Sequence, residues 1–579
     1  MNADLIYAAL LLAPGWPLLI ALAMMIFPRW RIARLLAPVA ALPALVLVVL
    51  EPSIGLHVPW LLLGTYFGLD IIGYYFLLFS SLLWLAAGLF ASAYLAKDDL
   101  KSHFFVYFLL AMAGNFGLII AQDVVSYYLF FALMSFASYG LVIHDRTVEA
   151  LRAGRVYIVL VVVGEVLLFA AMILAAQTAE NLTFAAVRAA SAQSGVQDVV
   201  IMLALLGFGI KAGAIGLHMW LPLAHPVAPT PASAVLSGAM IKAGLLGWLR
   251  VLPLGEAMLP GWAGFIMAAG LAAAFYGVLV GVTQRNPKAV LAYSSISQMG
   301  VITVGVGLGL MLPQFWPLIL MAVLVYALHH GLAKGALFLG VGVAAYTTSR
   351  FGRWSVGIGL LLPALALAGA PLTSGMLAKA LLKEPLVFAP YPWDVWLKTI
   401  LPWSAVATTL IMARFIYLTW PRKVDASAKA KPSGLVLPWM ILLFATAVMA
   451  WLVPYNSGLK LWVDTAIIAA LWPVAAGVII ALVIGVLAKR MLPMAVQVPP
   501  GDILVPLEKI ISGLLHVGRS FGFQWLPAKW QAVVAMFDRI SFRSIWLILG
   551  KGEFRLGQWA IAATLFVMLG IGIVAINLF

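Results

Sequence analysis

Apolar runs about as long as a lipid bilayer is thick recur along this whole chain. Sixteen segments qualify as candidate membrane spans, beginning with 4–26 and ending with 557–578. A bilayer-spanning helix needs about 20 mostly apolar residues, and 64% of the 579 residues are apolar while only 9% are charged. The sequence therefore predicts an all-α polytopic membrane protein with about 14–16 transmembrane helices.

The absence of cysteine limits the chemistry of this chain. With no cysteine in the sequence, thiolate-ligated iron–sulfur clusters, covalently attached haem, zinc ribbons and disulfides are excluded. Neither a phosphate-binding GxxxxGK[ST] loop nor an HExxH zinc motif occurs. We therefore expect no cofactor and no metal site in this chain, and any redox centres of a larger complex would lie in other subunits.

The net charge of +15 is explained by membrane orientation. When the spans are threaded from an outside N-terminus, eighteen lysines and arginines fall in cytoplasmic loops and five in the opposite loops. Cytoplasmic loops of membrane proteins carry such an excess. The pattern predicts a multi-pass protein of the inner (cytoplasmic) membrane with its N-terminus outside, and it argues against a nucleic-acid partner.

The stretch 489–556 is too polar to span a bilayer, yet it carries apolar residues at helical spacing, among them Ile503, Leu507 and Leu514. Basic residues alternate there with tryptophans such as Trp525 and Trp530. This mixture predicts an amphipathic lateral segment lying along the membrane or along neighbouring subunits. A loosely packed cytoplasmic connector is the alternative.

Ionisable side chains inside the apolar spans are the strongest functional signal, because each is costly in lipid. The candidates are one acid, four lysines and one histidine: Glu165, Lys211, Lys242, His330, Lys334 and Lys379. Burial disfavours the charged form of such groups, so that neighbouring groups can exchange a proton at modest cost. The sequence therefore predicts a proton relay, with snorkelling of the lysines to the interface as the alternative.

Residue spacing adds detail to the predicted relay. His330 and Lys334 are four residues apart and therefore share one helix face. Lys211 and His218 are seven residues apart, which on a continuous helix is two turns along one face. We therefore add His218 to the relay.

Two spans contain helix-breaking residues beside a lysine. Gly213 and Gly216 follow Lys211, and Pro371 precedes Lys379. Interrupted helices near mid-membrane expose backbone groups to the ion paths of many transporters. We expect a broken helix at each place and an internal repeat.

Two further residues are candidates for proton uptake or release. His225 lies in a proline-rich stretch, 225–233, in which Pro226, Pro229 and Pro231 are expected to prevent continuation of a helix. Thr230 and Pro231 are expected to cap and begin the next helix. Asp123 lies at a span edge, where an ordinary interfacial role is the alternative.

Four segments of the sequence resemble one family. KAGAIGLHMWLPLAHPVAPTPASAVLSGAMIKAGLLG at 211–247 closely resembles the signature of antiporter-like subunits. These subunits occur in respiratory complex I, in membrane-bound hydrogenases and formate hydrogenlyase, and in multisubunit Mrp cation/proton antiporters. The segments 291–300, 329–340 and 365–379 resemble further family segments in the expected order. The 211–247 segment is most similar to the hydrogenase-4 type.

The resemblance implies two inverted five-helix repeats, each with a broken helix, and a proton path through the buried lysines and His330. The predicted organisation is N-terminal helices at 1–103, a first repeat at 104–252 and a second repeat at 261–420. Further helices follow at 435–488, then the lateral segment at 489–556 and a terminal helix at 557–579.

One position departs from the family pattern. The family has a glutamate in the fifth span (124–143 in this chain), in a segment like WELMS, and it pairs with the lysine of the seventh span (199–221). This chain reads FALMS, with Ala132 at that place. Either Glu165 in the sixth span (155–176) takes over the pairing with Lys211, or this half of the path is altered or closed.

The resemblance implies a proton-translocating subunit of a redox-driven complex. Its partners would be other membrane subunits, iron–sulfur or other redox subunits, the lipid bilayer and protons rather than sodium. The alternative is a subunit of a cation/proton antiporter or of an inorganic-carbon uptake system without redox partners. A structural subunit without conduction is a third hypothesis, which the four retained lysines disfavour.

Overall fold

The computed structural model describes residues 3–27, 30–51, 55–62, 64–177, 179–192, 194–420, 434–457, 464–491 and 498–505. These ranges are mostly helical and contain twenty α-helices. The helices are α1 Ala3–Ile26, α2 Arg31–Leu36, α3 Leu42–Leu50, α4 Ile71–Tyr94, α5 Lys101–Ile120, α6 Val124–Val142, α7 Val148–Ala176, α8 Phe184–Ser191, α9 Gln197–Ala212, α10 Trp220–Val227, α11 Thr230–Val235, α12 Ile241–Val251, α13 Pro260–Gly281, α14 Pro287–Met311, α15 Trp316–Ala345, α16 Arg350–Ala368, α17 Ser374–Lys383, α18 Trp393–Thr419, α19 Val436–Ser457 and α20 Asp464–Met491.

Within the described ranges, twelve helical segments are long and apolar enough to cross a membrane, or thirteen if the bent pair Arg31–Val39 and Leu42–Leu50 is one span. The predicted spans at 199–221 and 356–381 are both interrupted, so that α9 has only 16 residues. The predicted terminal span and all of 489–556 except 489–491 and 498–505 lie outside the described residues. The predicted polytopic, all-helical membrane class is confirmed.

A small hairpin was not predicted. Strand β1 (Leu56–Val58) pairs antiparallel with strand β2 (Thr65–Phe67) between α3 and α4. The Tyr66 backbone N–H donates a hydrogen bond of 2.8 Å to the Asp123 carboxylate, and the Tyr66 and His57 rings stack 5.0 Å apart. The segment between α3 and α4 is therefore hydrogen-bonded to the start of α6, a contact that its sequence alone did not predict.

The two halves of the membrane domain have a parallel order of elements. In the first half α5 packs on α6 and α7 on α9, and in the second α13 packs on α14 and α15 on α16. Each half contains one interrupted helix, α9–α10 or α16–α17. This order is compatible with the expected repeats, whose boundaries stay predictions.

Glycines let α13 and α14 approach closely. A Cβ atom on Gly270 would lie 2.6 Å from the Gly300 carbonyl oxygen, and one on Gly300 would lie 2.5 Å from the Gly270 carbonyl oxygen. Small residues at such crossings allow membrane helices to pack through their backbones. The contact fixes α14 against α13.

An ion pair joins the start of α4 to the end of α12. The Arg250 guanidinium donates to both carboxylate oxygens of Asp70, at 2.5 and 2.8 Å. Asp70 also caps α4 by accepting from the Gly73 N–H at 2.8 Å. Burial raises the pKa of the Asp70 carboxyl, but the Arg250 charge and these hydrogen bonds outweigh it and hold the pKa below its ordinary value.

The two partners of this ion pair differ in exposure, with the Arg250 side chain 2% and the Asp70 side chain 38% exposed. Asp70→Asn strands a buried cation and should destabilise the protein by about 3 kcal/mol. Arg250→Met leaves a carboxylate that water can reach and fills the site with apolar atoms, so it should cost about 1 kcal/mol. Thermal unfolding of the purified protein in detergent measures both.

Asp394→Asn is the matched control, because the half-buried Asp394 faces a lysine, Lys398, that is 49% exposed and 3.9 Å away, so that no buried cation is left without its partner. Its effect should stay within about 0.5 kcal/mol. Because the pKa of Asp70 is lowered in the folded protein, the stabilisation is present above its ordinary pKa and is lost as the pH falls through the folded value. An Asp70→Asn protein that unfolds like the wild type at neutral pH would contradict this account.

Candidate functional site

A row of polar groups joins the two central lysines. Lys242 on α12 donates from Nζ to the Ser237 carbonyl at 2.6 Å, and the Ser237 and Ser295 hydroxyls lie 2.8 Å apart. The Ser295 hydroxyl donates to the Leu291 carbonyl at 3.0 Å. The same carbonyl accepts from Lys334 Nζ on α15 at 2.8 Å. The row connects α12, α14 and α15 in a part of the protein where both amines are fully buried.

A π-helical turn presents the carbonyl that Lys242 contacts. Residues Leu236–Met240 form this turn between α11 and α12, and the Ile241 N–H donates to the Leu236 carbonyl, five residues back. In an α-helix that N–H would bond to the Ser237 carbonyl, four residues back. The Ser237 oxygen is thereby available to the Lys242 ammonium. Single π-turns are frequent at functional sites.

The two adjacent histidines of α15 lie beside this row. His330 and Lys334 share a buried face of α15, as the spacing predicts, and neither His330 ring nitrogen has a hydrogen-bond partner among the described residues. His329 instead contacts the Ser374 hydroxyl on α17, with 2.8 Å between Nδ1 and Oγ. His329 therefore lies between the central row and the second broken helix.

In the first half, Lys211 contacts a tyrosine rather than a carboxylate. Its Nζ donates to the Tyr157 hydroxyl at 2.9 Å, and that hydroxyl donates to the Ser135 carbonyl at 2.8 Å. The Trp220 ring centroid lies 5.9 Å from the amine. Within the described ranges, no ion pair of 4.0 Å or less forms between Lys211 and Glu165.

Glu165 is buried on α7 and is 6% exposed. Its carboxylate oxygens make no hydrogen bond of 3.5 Å or less in the part of the chain that the structure describes, although the Ser135 hydroxyl lies nearby. Glu165 is near enough to Lys211 for their charges to interact. Ala132 lies on α6, one turn before Ser135. Glu165 is therefore a buried acid without a close hydrogen-bond partner among the described residues. It lies near Lys211, for which Ala132 supplies no carboxylate.

The predicted shared helix face of Lys211 and His218 is wrong. Helix α9 ends at Ala212, and Gly213 adopts a left-handed conformation with φ of 74°. His218 therefore lies in the break between α9 and α10. Its Nε2 atom is 3.4 Å from a carboxylate oxygen of Asp502. Sequence spacing could not show this contact, because the two residues are 284 positions apart.

In the second half, Lys379 binds the end of a broken helix. Its Nζ donates to the Leu367 and Ala368 carbonyls at 3.1 and 2.7 Å. These carbonyls end α16, where Gly369 has a φ of 85°. A Cβ atom on Gly369 would lie 2.8 Å from Lys379 Cδ, so both the conformation and the contact favour glycine. The predicted break beside Lys379 is present.

A cavity of about 300 Å³ adjoins Lys379, between α17, α18 and α20. Most of its lining is apolar, and its polar members include Lys383, Glu384 and Ser404. At about 30 Å³ per molecule, it has room for several waters.

The two predicted sites of proton uptake or release are both buried. His225 is 0% exposed and lies within α10, where its ring stacks 4.7 Å from the Phe338 ring, and its part in proton transfer stays a prediction. Pro226 lies inside α10, which ends one residue later at Val227 and before Pro229. The next helix begins at Thr230, but Pro229 occupies the cap position and no side chain caps it.

Asp123 is likewise enclosed, at 3% exposure. It caps α6 by accepting from the Ser126 N–H at 2.7 Å, and it binds the Tyr66 N–H. These bonds give Asp123 a structural role. That Asp123 takes up or releases protons stays a prediction.

Sequence reasoning missed Tyr157, Ser237, Ser295 and Asp502. The first three are polar residues within apolar spans, but tyrosine and serine are cheap enough in membrane helices to attract little attention. Asp502 lies in a polar segment where an acid is unremarkable. Among the described residues, no three histidine, aspartate or glutamate side chains are grouped as metal ligands would be.

Comparisons with known proteins agree with this architecture. Residues 121–397 match the family described as NADH:quinone oxidoreductase/Mrp antiporter, TM. Hydrogenase-4 component B of Escherichia coli is 31% identical over 284 residues, which are 47% of this chain and 42% of that protein. The putative antiporter subunit mnhA2 of Staphylococcus saprophyticus is 33% identical over 383 residues, covering 61% of this chain and 48% of that protein.

This chain therefore spans less than half the length of either relative. A chain of the Mrp complex from a Dietzia species has the same fold, with a TM-score of 0.72 and 20% identity, over 94% of this chain and 63% of that one. The resemblance carried by the 211–247 segment is confirmed. The similarity to the NADH:quinone oxidoreductase/Mrp antiporter transmembrane family thus covers residues 121–397, which contain both broken helices and the polar row between Lys242 and Lys334.

Proposed function

We propose that this chain is a proton-translocating membrane subunit of a multisubunit, redox-driven complex. The observation that carries the proposal is the polar row from Lys242 through Ser237 and Ser295 to Lys334. Two fully buried amines are rare in a membrane interior and mark an ion or proton path. Carbonyl partners stabilise the protonated amine without fixing its charge, so that each lysine can gain and lose a proton.

In this mechanism a proton passes between Lys334 and Lys242 through bound water and the serine hydroxyls. His330 lies beside this step. Glu165 adjusts the affinity of Lys211 in the first half, while His329, Ser374 and Lys379 extend the path to the second broken helix. Hard cations such as sodium prefer several oxygen ligands, whereas amines and imidazoles dominate this path, which supports protons as the transported species.

The proposed location is the inner (cytoplasmic) membrane with the N-terminus outside, on the strength of the eighteen-to-five distribution of basic residues. The partners would be other membrane subunits together with redox subunits. Hydrogenase-4 component B, one of the relatives, favours this assignment. The similarity to an antiporter subunit favours the second candidate, a cation/proton antiporter without redox partners.

Replacing either central lysine should stop proton movement. In the complex reconstituted into vesicles, Lys242→Met and Lys334→Met should each slow translocation by at least about 100-fold, because a proton-transfer group is lost. A pH-sensitive dye inside the vesicles measures the rate. Lys398→Met is the control, since this exposed lysine lies in a surface ion pair, and it should translocate like the wild type.

A subtler pair of variants tests the row itself. Ser295→Ala removes the link between Ser237 and the Leu291 carbonyl and should slow translocation severalfold. Ser297→Ala, on the same helix, removes a hydroxyl that instead bonds to the Ala274 carbonyl at 2.6 Å and should have little effect. Equal rates for the two serine variants, or intact translocation in both lysine variants, would refute the relay.

The role of Glu165 can be tested by moving the acid. Glu165→Gln should slow translocation by about tenfold or more, because Lys211 then has no nearby carboxylate. Adding Ala132→Glu to that variant places an acid where the family has one and should recover part of the rate. Glu149→Gln, an exposed acid on the same helix, is the control. An unchanged Glu165→Gln rate would mean that the first half works without this switch.

Identification of the partners separates the two candidate functions. Mild-detergent purification of the native complex, followed by mass spectrometry of every co-purifying chain, should yield iron–sulfur or nickel-containing subunits. A complete set of membrane subunits without any redox protein would instead assign the chain to an antiporter or inorganic-carbon transporter. Sodium counterflow in the reconstituted complex would then be measured directly.

A further inference from the structure

Residues 498–505, which follow α20 in the sequence, bring an acid into the membrane domain. The Tyr276 hydroxyl donates to Asp502 Oδ2 at 2.5 Å, and His218 Nε2 lies 3.4 Å from the same oxygen. The His218 and Asp502 side chains are 0% and 3% exposed. This carboxylate comes from beyond the 121–397 family domain, yet it is enclosed by that domain.

The Asp502 site joins parts of the protein that are distant in sequence. His218 lies in the break between α9 and α10, Tyr276 on α13 and Tyr293 on α14. The buried Tyr293 hydroxyl lies beside Asp502, and neither this hydroxyl nor His218 Nδ1 makes a hydrogen bond of 3.5 Å or less among the described residues. Four protonatable groups therefore meet where the first broken helix contacts the second half.

The short segment is anchored rather than loosely apposed. Gln284, after the end of α13, donates from its side-chain nitrogen to the Val498 carbonyl at 2.9 Å. Arg414 on α18 in turn donates to the Gln284 carbonyl at 2.9 and 3.1 Å. Gly501, with a φ of 86°, packs against the Leu223 side chain. These contacts hold Asp502 at a defined position.

The site lies near the end of α13 that the distribution of basic residues predicts to be cytoplasmic. Tyr276 precedes the end of α13 at Gly281 by five residues, which is about 8 Å along the helix. The adjoining loop at 282–286 lies on the side that the distribution of basic residues predicts to be cytoplasmic. A proton arriving from that side would reach Asp502 before the deeper lysines.

We propose that Asp502 and His218 form a proton-binding pair. Through this pair, the segment 498–505 delivers protons to the first half of the relay, which contains Lys211. The proposal rests on the proposed proton-translocating function and adds a residue outside the family domain to it. One proton binds to the pair, is shared between the carboxylate and the imidazole, and leaves toward the break that follows Lys211.

The charge state of Asp502 fits this role. Burial raises the pKa of its carboxyl, but the hydrogen bonds from His218 and Tyr276 outweigh burial and leave the pKa below its ordinary value. The groups facing it are His218 from the break, Tyr276 from α13 and Tyr293 from α14. The docked contact is therefore present above the ordinary carboxyl pKa and weakens as the pH falls through the folded value.

The test compares acid variants in the reconstituted complex. Asp502→Asn should slow proton translocation by about tenfold or more and change its pH dependence, whereas Asp502→Glu should retain most of the rate. The matched control is Asp98→Asn, which alters another aspartate–histidine contact, 3.0 Å from His144, outside the relay. It should translocate like the wild type.

A second variant addresses the pairing, and it also serves if Asp502→Asn fails to assemble. His218→Gln should slow translocation as Asp502→Asn does, and the double variant should be no slower than either single one. The proposed proton-binding pair would be overturned if Asp502→Asn or His218→Gln kept the wild-type rate and pH profile. Additive losses in the double variant would overturn it as well. Lys242→Met in the same assay separates the outcomes, because its full activity would refute the relay itself.

Discussion

Backbone carbonyls are the hydrogen-bond partners of three lysines of the membrane domain, two of them fully buried and one half-buried, whereas the buried Lys211 donates to the Tyr157 hydroxyl. Lys242, Lys334 and Lys379 each donate to a main-chain oxygen, and none of the three lies within ion-pair distance of a carboxylate in the described ranges. An amine in a low-dielectric interior needs hydrogen-bond acceptors to remain protonated at all. A carbonyl supplies that acceptor without a full opposite charge, and the amine can then lose its proton without leaving a buried anion behind.

Three of the four carbonyls that these lysines contact are available because a helix is irregular there. The Ser237 oxygen belongs to a π-turn, and the Leu367 and Ala368 oxygens end a broken helix. The Leu291 oxygen is the exception, since it lies within α14 and is shared with the Ser295 hydroxyl. The irregular backbone and the buried charge therefore depend on each other: every break would be costly in lipid without a donor, and each amine would be costly without an acceptor.

The sequence predicted the membrane class, both helix breaks and the six ionisable residues within the spans, since each rests on a local signal such as an apolar run, a glycine or proline, or a charge in lipid. It did not predict which groups meet. The Lys211 and His218 interpretation failed because it assumed one continuous helix. The Ser237–Ser295 contact spans 58 positions, and Asp502 is 284 positions from His218. The periodicity of apolar residues along one helix does not predict contacts between residues so far apart in the sequence.

The π-turn before α12 has a consequence for how this domain tolerates change in length. The turn carries one residue more than a regular helical turn. Deleting a single residue within 238–240 would allow an ordinary α-helical turn, in which the Ser237 carbonyl accepts a backbone N–H and is no longer available to the Lys242 ammonium. The carbonyl that this lysine contacts thus depends on the count of residues between them, so that a deletion here would remove the contact even though the lysine itself is kept.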